Sequence, residues 1–144
     1  MRSIQRIFVH CTASNQTWGV KELWAEFRHK GWKSPGYHYV ITADGGIHQM
    51  LAVEEVSNGV RGYNSTAINI AYAGGISRQG KKIVATDNRT PEQKASLRKL
   101  LGILRQKYPD ARIMGHRSIW DEDTPSKWQK NCPCFNAVEE YKDI

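Results

Sequence analysis

Near its beginning the chain carries the stretch IQRIFVH, from Ile4 to His10. Three consecutive residues in it, Ile7, Phe8 and Val9, are β-branched or aromatic, and this pattern predicts a buried strand. His10 ends the strand, and side chains at strand ends lie at the rim of a sheet, where functional groups collect. The stretch therefore predicts a central strand with a candidate functional residue at its end.

The segments that follow alternate between helix and strand patterns. Apolar residues between Val20 and Phe27 recur at i, i+3, i+4 and i+7, which predicts an amphipathic helix. Gly31 stands where such a helix would end. The residues from Tyr37 to Ile41 predict a second strand, and Asp44-Gly45-Gly46 predicts the turn of a hairpin whose return strand begins at Ile47.

The second half of the chain repeats this alternation. Ala67 to Ala73 predicts another buried strand, and a polar loop then leads to Thr90, which with Pro91 and Gln93 has the pattern of a helix N-terminus with a capping box. The apolar residues between Leu97 and Leu104 form one face of that helix. A short strand at 112–114 and a further helix at 137–141 are also predicted. We therefore expect one α/β domain over residues 1–144, a central mixed β-sheet flanked by helices on both faces.

The net charge and the distribution of apolar residues limit the kinds of partner that the chain is expected to bind. The chain has 144 residues and a net charge of +7, from 21 Lys and Arg against 14 Asp and Glu. An excess of positive charge favours anionic partners, such as nucleic acid or acidic wall polymers. No apolar run approaches the roughly 20 residues needed to cross a bilayer, and the first residues do not resemble a signal peptide. We expect synthesis in the cytoplasm, no membrane partner and a monomer.

Three groups of residues could carry chemistry: His10, His116, and the segment Cys132-Pro133-Cys134. Each histidine directly follows a predicted strand. Two imidazoles and one thiolate suit Zn²⁺, and three protein ligands leave a fourth position open, as in catalytic zinc sites. On spacing alone, hydrogen-bonded structural histidines remain the alternative, and either cysteine of the segment could be the ligand. Cys11 adjoins His10 but should point to the opposite face of the strand, so we interpret it as a buried core residue.

Several motifs in order along the chain resemble the N-acetylmuramoyl-L-alanine amidases of the bacteriophage lysozyme type, which are related to the peptidoglycan recognition proteins. They extend over nearly the whole chain and are Val9-His10-Cys11-Thr12-Ala13-Ser14, Gly31-Trp32, Gly36-Tyr37-His38-Tyr39, Asp44-Gly45, Gly62-Tyr63-Asn64, Gly74-Gly75-Ile76, Thr90-Pro91, Gly115-His116 and Lys130-Asn131-Cys132-Pro133. The resemblance implies a peptidoglycan-recognition-protein-like fold and hydrolysis of the bond between N-acetylmuramic acid and L-alanine in bacterial peptidoglycan. It also implies action on the cell wall after release, as a phage or prophage endolysin.

The resemblance also implies roles for individual residues. Zinc would be held by His10, His116 and Cys132, with Cys132 favoured over Cys134 because it stands just before proline in the family motif. Tyr37 and Lys130 would be catalytic: Lys130 could stabilise the oxyanion of the tetrahedral intermediate, and Tyr37 could donate a hydrogen bond to the same oxygen or orient the water.

One segment departs from the family pattern. Gly59 stands where some relatives carry a histidine that could line the substrate groove. Arg61 and Asn64, in the same segment, are candidate substrate contacts, with ordinary surface loop residues as the alternative.

Other functions remain open on the sequence. The same fold also occurs in modules that bind wall fragments without cutting them, but such modules tend to lack the cysteine ligand. A regulatory protein partner is a further possibility, since some phage relatives restrain a phage RNA polymerase. Nucleic-acid binding rests on charge alone, would show steep salt dependence, and is not expected.

Overall fold

The computed structural model describes residues 2–144 and has one five-stranded sheet at its centre. Its strands, in chain order, are β1 (Arg6–Cys11), β2 (Tyr39–Ile41), β3 (Ile47–Gln49), β4 (Ala67–Tyr72) and β7 (Arg112–Gly115). The order across the sheet is β3-β2-β4-β1-β7. All neighbours are parallel except β3, which runs antiparallel to β2 at one edge. The predicted mixed sheet is confirmed.

Within residues 2–144, three α-helices accompany the sheet: α1 (Val20–His29), α2 (Pro91–Lys107) and α3 (Ala137–Glu140). Leu23 and Phe27 of α1 pack with Val40, whereas the leucines of α2 share a core with Ile41. Consecutive strand residues point to opposite faces, so α1 and α2 cover opposite sides of the sheet. The expected layers, helices on both faces, are confirmed.

The N-terminus of α2 has the predicted capping box. Gln93 donates its backbone N–H to the Thr90 hydroxyl at 3.0 Å, and Gln93 Oε1 accepts from the Thr90 backbone N–H at 2.9 Å. The Gln93 amide nitrogen also donates to the carbonyls of Ile41 and Ala73, at 3.1 and 3.0 Å. The cap therefore ties α2 to the ends of the central strands as well as starting the helix.

The segment between Gly75 and Thr90, expected to be a polar loop, instead contains a hairpin. Strands β5 (Ile76–Gln79) and β6 (Lys82–Ala85) pair antiparallel and form a separate two-stranded sheet. Most of their side chains are exposed, so they lack the apolar alternation that marks a half-buried strand. Across residues 2–144, no helix combines the length and apolar character that crossing a membrane requires.

Candidate active site

His10 lies near the end of β1, on the face of the sheet that α1 covers. Its side chain is 2% exposed, and Nε2 is hydrogen-bonded to Asn69 Oδ1 on the neighbouring strand β4, at 2.8 Å. The other ring nitrogen, Nδ1, lies 3.6 Å from Cys132 Sγ. One nitrogen of His10 is therefore held by the protein, and the other faces a thiol.

His116 follows β7 directly and begins a short 3₁₀ helix, His116–Trp120. Its ring meets the His10 ring edge-on, with 5.0 Å between centroids, and stacks on Trp120 at 5.2 Å. Because β1 and β7 are adjacent parallel strands, the residues at their carboxyl ends meet at one edge of the sheet. The two predicted strand-end histidines are thus neighbours.

Cys132 reaches the histidines from a loop that is fastened in three ways. Its carbonyl accepts the Arg117 backbone N–H at 2.9 Å, and its Sγ accepts the Cys11 backbone N–H at 3.2 Å. The next residue, Pro133, packs closely on Gly115, since a Cβ added to Gly115 would lie 2.5 Å from Pro133 Cδ. The ligand atoms of His10, His116 and Cys132 consequently lie within 4.8 Å of one another.

Cys134 and Cys11 lie outside this group. Their sulfurs are 3.9 Å apart, and Cys134 Sγ donates to the Gly75 carbonyl at 3.4 Å. The neighbouring thiol of Cys132 and burial raise the pKa of Cys11, and the Cys11 thiol together with burial raises that of Cys134. Both are therefore neutral thiols, and Cys11 belongs to the core as the sequence predicts.

The charge state of the histidines suits metal binding. Burial lowers the pKa of His10 to about 4, helped by the nearby Lys130 ammonium and opposed by the hydrogen bond to Asn69. Burial, His10 and Lys130 lower the pKa of His116 to about 3. Both imidazoles are neutral at pH 7, so each can offer a lone pair.

These residues line a cavity of about 200 Å³, together with Tyr37 and Lys130. The Tyr37 hydroxyl donates to the Cys11 carbonyl at 3.4 Å, and its ring lies 5.2 Å from that of His10. Burial and the nearby cysteines raise the pKa of Tyr37 well above its ordinary value, so the hydroxyl keeps its proton. Lys130 is exposed at the cavity mouth. Both candidates taken from the motif therefore share the cavity with the three possible ligands.

The two expected substrate contacts lie elsewhere. Neither Arg61 nor Asn64 lines the cavity, and Asn64 Oδ1 accepts the Val60 backbone N–H at 2.7 Å, which gives it a structural role in its loop. The wall of the cavity is formed instead by residues of α1 and the loops beside it, among them Lys30 and Trp32. Trp32 belongs to the Gly31-Trp32 motif, but the sequence gives no sign that this motif and residues of α1 such as Leu23 and Glu26 line one cavity, since they meet only in the folded chain.

Comparisons with known proteins give a family match over most of the chain. Residues 1–135 match the family model described as N-acetylmuramoyl-L-alanine amidase. The chain is 35% identical over 133 residues to the endolysin of Klebsiella phage KP32, covering 88% of this chain and 86% of that protein. It is also 35% identical over 136 residues to the endolysin of Escherichia phage T7, covering 90% and 88%.

Solved structures show the same architecture. The endolysin amidase LysCS from Clostridium intestinale superimposes with a TM-score of 0.76 at 26% identity, over 99% of this chain and 83% of that one. Drosophila PGRP-LB superimposes with a TM-score of 0.70 at 15% identity, over 100% and 81%. At that identity the second likeness bears on the fold alone.

Proposed function

Since the chain belongs to the N-acetylmuramoyl-L-alanine amidase family and is a peptidoglycan amidase, we propose that it works with a zinc ion held by His10, His116 and Cys132. The bond cleaved is the amide between N-acetylmuramic acid and L-alanine. Its place of action is the cell wall, as for phage endolysins. The proposed ligands His10 and Cys132 are 122 positions apart, so nearly the whole chain is needed to assemble one site, in keeping with a single catalytic domain over residues 1–144.

The observation that carries the proposal is the convergence of two neutral imidazoles and one thiol on one point. Their ligand atoms are within 4.8 Å of one another, and the 3.6 Å between His10 Nδ1 and Cys132 Sγ falls in the range of roughly 3.3–3.8 Å that separates two ligands at about 2.0–2.3 Å from a common tetrahedral ion. The mixed nitrogen and sulfur donors fit zinc rather than the oxygen-seeking cations. When bound, zinc would supply a Lewis acid that activates water and polarises the amide carbonyl.

Lys130 and Tyr37 provide the positive charge and the hydrogen-bond donor that amide hydrolysis requires beside the metal. The Lys130 ammonium at the mouth stabilises negative charge as it develops on the amide oxygen. Tyr37 keeps its proton because its pKa is raised, so it donates a hydrogen bond to the same oxygen or orients the attacking water. Each role requires a protonated group at neutral pH, and both side chains line the cavity.

Positive charge at the cavity also suits an anionic wall polymer. Lys30 and Lys130 line the cavity against one lining carboxylate, Glu26, which pairs with Lys30 at 3.3 Å; the Lys30 ammonium is also 4.9 Å from the centre of the Trp32 ring. The chain as a whole carries a net charge of +7. Substrate carboxylates near the scissile amide would therefore meet lysine ammonium groups.

The test is hydrolysis of purified peptidoglycan with and without a zinc chelator, measuring new L-alanine amino termini and new reducing sugar ends. We expect amino termini that disappear with the chelator and return with zinc, and no reducing ends. Cys132→Ala should lose bound zinc and activity, and the matched variant Cys134→Ala should keep both. Equal zinc contents in the two variants would contradict the ligand assignment, and wall binding without new amino termini would indicate a recognition module.

A further inference from the structure

Asn69 is a polar residue in the middle of the most buried strand. Strand β4, with the sequence AINIAY, lies between β1 and β2, and Asn69 at its middle is fully buried. Its Oδ1 lies 2.8 Å from His10 Nε2, and its Nδ2 lies 2.8 Å from Ser57 Oγ. Burying a carboxamide is costly unless both of its ends are hydrogen-bonded, and here His10 and Ser57 meet that requirement.

The direction of these bonds is set by the neighbouring histidine, His38. The Asn69 backbone N–H donates to His38 Nδ1 at 3.0 Å, so that nitrogen is an acceptor. The ring hydrogen of neutral His38 is then on Nε2, which donates to the Glu55 carbonyl at 2.8 Å. Arg2 Nη2 also approaches this nitrogen, at 3.3 Å, but has a closer acceptor in the Val53 carbonyl, at 2.6 Å.

Two further contacts orient the Asn69 carboxamide. The Ser57 hydroxyl, 3.2 Å from His38 Nδ1, shares the single lone pair of that nitrogen with the Asn69 backbone N–H, and the serine oxygen accepts from Asn69 Nδ2 at 2.8 Å. Asn64 Oδ1, already an acceptor for the Val60 N–H, faces the same Nδ2 at 3.4 Å. Both neighbours require the NH₂ group on their side. Asn69 Oδ1 therefore points at His10 and accepts a hydrogen from its Nε2.

The space for Asn69 exists because residue 59 is glycine. A Cβ at that position would overlap the carboxamide carbon and oxygen of Asn69 and lie 2.6 Å from its nitrogen. Any larger residue at 59 would thus displace the carboxamide from His10. Gly59 and Asn69 form a matched pair in this chain.

We infer that Asn69, admitted by Gly59, is a positioning residue that holds His10 in its Nε2–H tautomer and presents the Nδ1 lone pair to the metal. The hydrogen-bonded chain from the Glu55 carbonyl through His38, Ser57 and Asn69 sets that tautomer before any metal binds. The inference rests on the proposed zinc site. Groups that orient a ligand histidine in this way are typically worth about 10- to 100-fold in metal affinity.

The first measurement is the ¹⁵N NMR spectrum of the His10 ring in the zinc-free wild-type protein, which needs no variant. We expect Nε2 to carry the hydrogen and Nδ1 to be bare. The second is zinc affinity, measured by competition with a chromophoric chelator, for Asn69→Asp, Asn69→Leu and Gly59→Ala. Gly102→Ala is the matched glycine control, since a Cβ there has nothing within 4 Å.

Asn69→Asp keeps an acceptor for His10 and should retain the tautomer and wild-type zinc affinity within a few-fold. Asn69→Leu and Gly59→Ala should weaken zinc binding about 10- to 100-fold. A purely structural role predicts the reverse order for the Asn69 variants, because a buried carboxylate is costlier than leucine.

An Nδ1–H tautomer in the wild type, or wild-type zinc affinity in Asn69→Leu, would overturn the inference. A wild type that has the Nε2–H tautomer but binds no zinc would instead refute the proposed metal site and leave the tautomer assignment standing.

Discussion

Replacing Gly115 with alanine is expected to disable the proposed metal site while the protein stays folded. Gly115 ends β7, one residue before His116, and packs on Pro133, one residue after Cys132. The new methyl carbon would lie 2.5 Å from Pro133 Cδ, whereas ordinary contact begins at 3.4 Å, so the two segments must separate by about 0.9 Å. Both segments carry proposed ligands, and the displacement therefore falls on the metal site itself.

A misplacement of about 1 Å at a catalytic constellation can cost about 100-fold in rate. We therefore expect kcat/KM of Gly115→Ala on peptidoglycan to fall about 100-fold, equivalent to about 2.7 kcal/mol of transition-state stabilisation. The assay measures initial rates of L-alanine amino-terminus release at saturating zinc, alongside zinc affinity and the melting temperature. Gly102→Ala, in the middle of α2, is the control and should keep wild-type activity.

Two results would refute this reasoning. Wild-type kcat/KM and zinc affinity in Gly115→Ala would mean that the Gly115–Pro133 contact does not position Cys132. A loss of activity that merely follows a loss of folded protein would mean that the contact serves stability and not the site.

Three further predictions concern catalysis, the core and the response to acid. Lys130→Met should lower kcat about 100- to 1,000-fold with unchanged zinc content, as expected for a lost oxyanion partner; an unchanged kcat would remove its catalytic role. Leu101→Ala, in the fully buried face of α2, should lower the free energy of unfolding by about 2–5 kcal/mol in urea titrations, and a loss below 1 kcal/mol would mean that the core collapses around the gap. Burial raises the pKa of Asp87, but hydrogen bonds from Arg89 outweigh it and hold that pKa, like the pKa of Glu140, below its ordinary value. The stabilisation of the folded state by Asp87, Arg89 and Glu140 should be complete above pH ~5 and should be lost as the pH falls through the depressed pKa values of the two carboxyl groups. Arg89→Met should make the free energy of unfolding depend less on pH between pH 6 and pH 2.

The fold was predictable wherever burial left a periodic pattern. Strand β1 is apolar along Ile7–Val9 because helices cover both faces, and the capping box at Thr90 has side-chain chemistry that can be recognised without a structure. Strands β5 and β6 were not predicted because they pair with each other without burying one face against the core. Backbone hydrogen bonds hold that hairpin, helped by side-chain bonds such as Asn88 Nδ2 to the Ile76 carbonyl at 3.0 Å, and these bonds produce no apolar periodicity in the sequence.

The site was predictable to the extent that strand ends and motifs mark it. His10 and His116 follow strands, so adjacency in the sheet brings them together. Asn69 was missed, although a single amide within AINIAY was the available signal: a polar side chain in a fully buried strand requires a partner. Arg61 and Asn64 were chosen from a loop whose path no pattern specifies, and neither of them lines the cavity.

The three proposed ligands differ in what holds them. His10 lies on β1 and His116 directly follows the adjacent strand β7, so the pairing of these two strands sets their separation. Cys132 lies on a loop without regular structure, and its position depends on contacts made by residues that never touch the metal. Arg117 is the chief of these: its side chain donates to Asn131 Oδ1 at 2.8 Å and to Glu122 Oε2 at 2.6 Å. Because the Arg117 bonds and the Gly115–Pro133 contact join this loop to the segment that carries His116, variation there can tune metal affinity through the placement of Cys132 relative to His116.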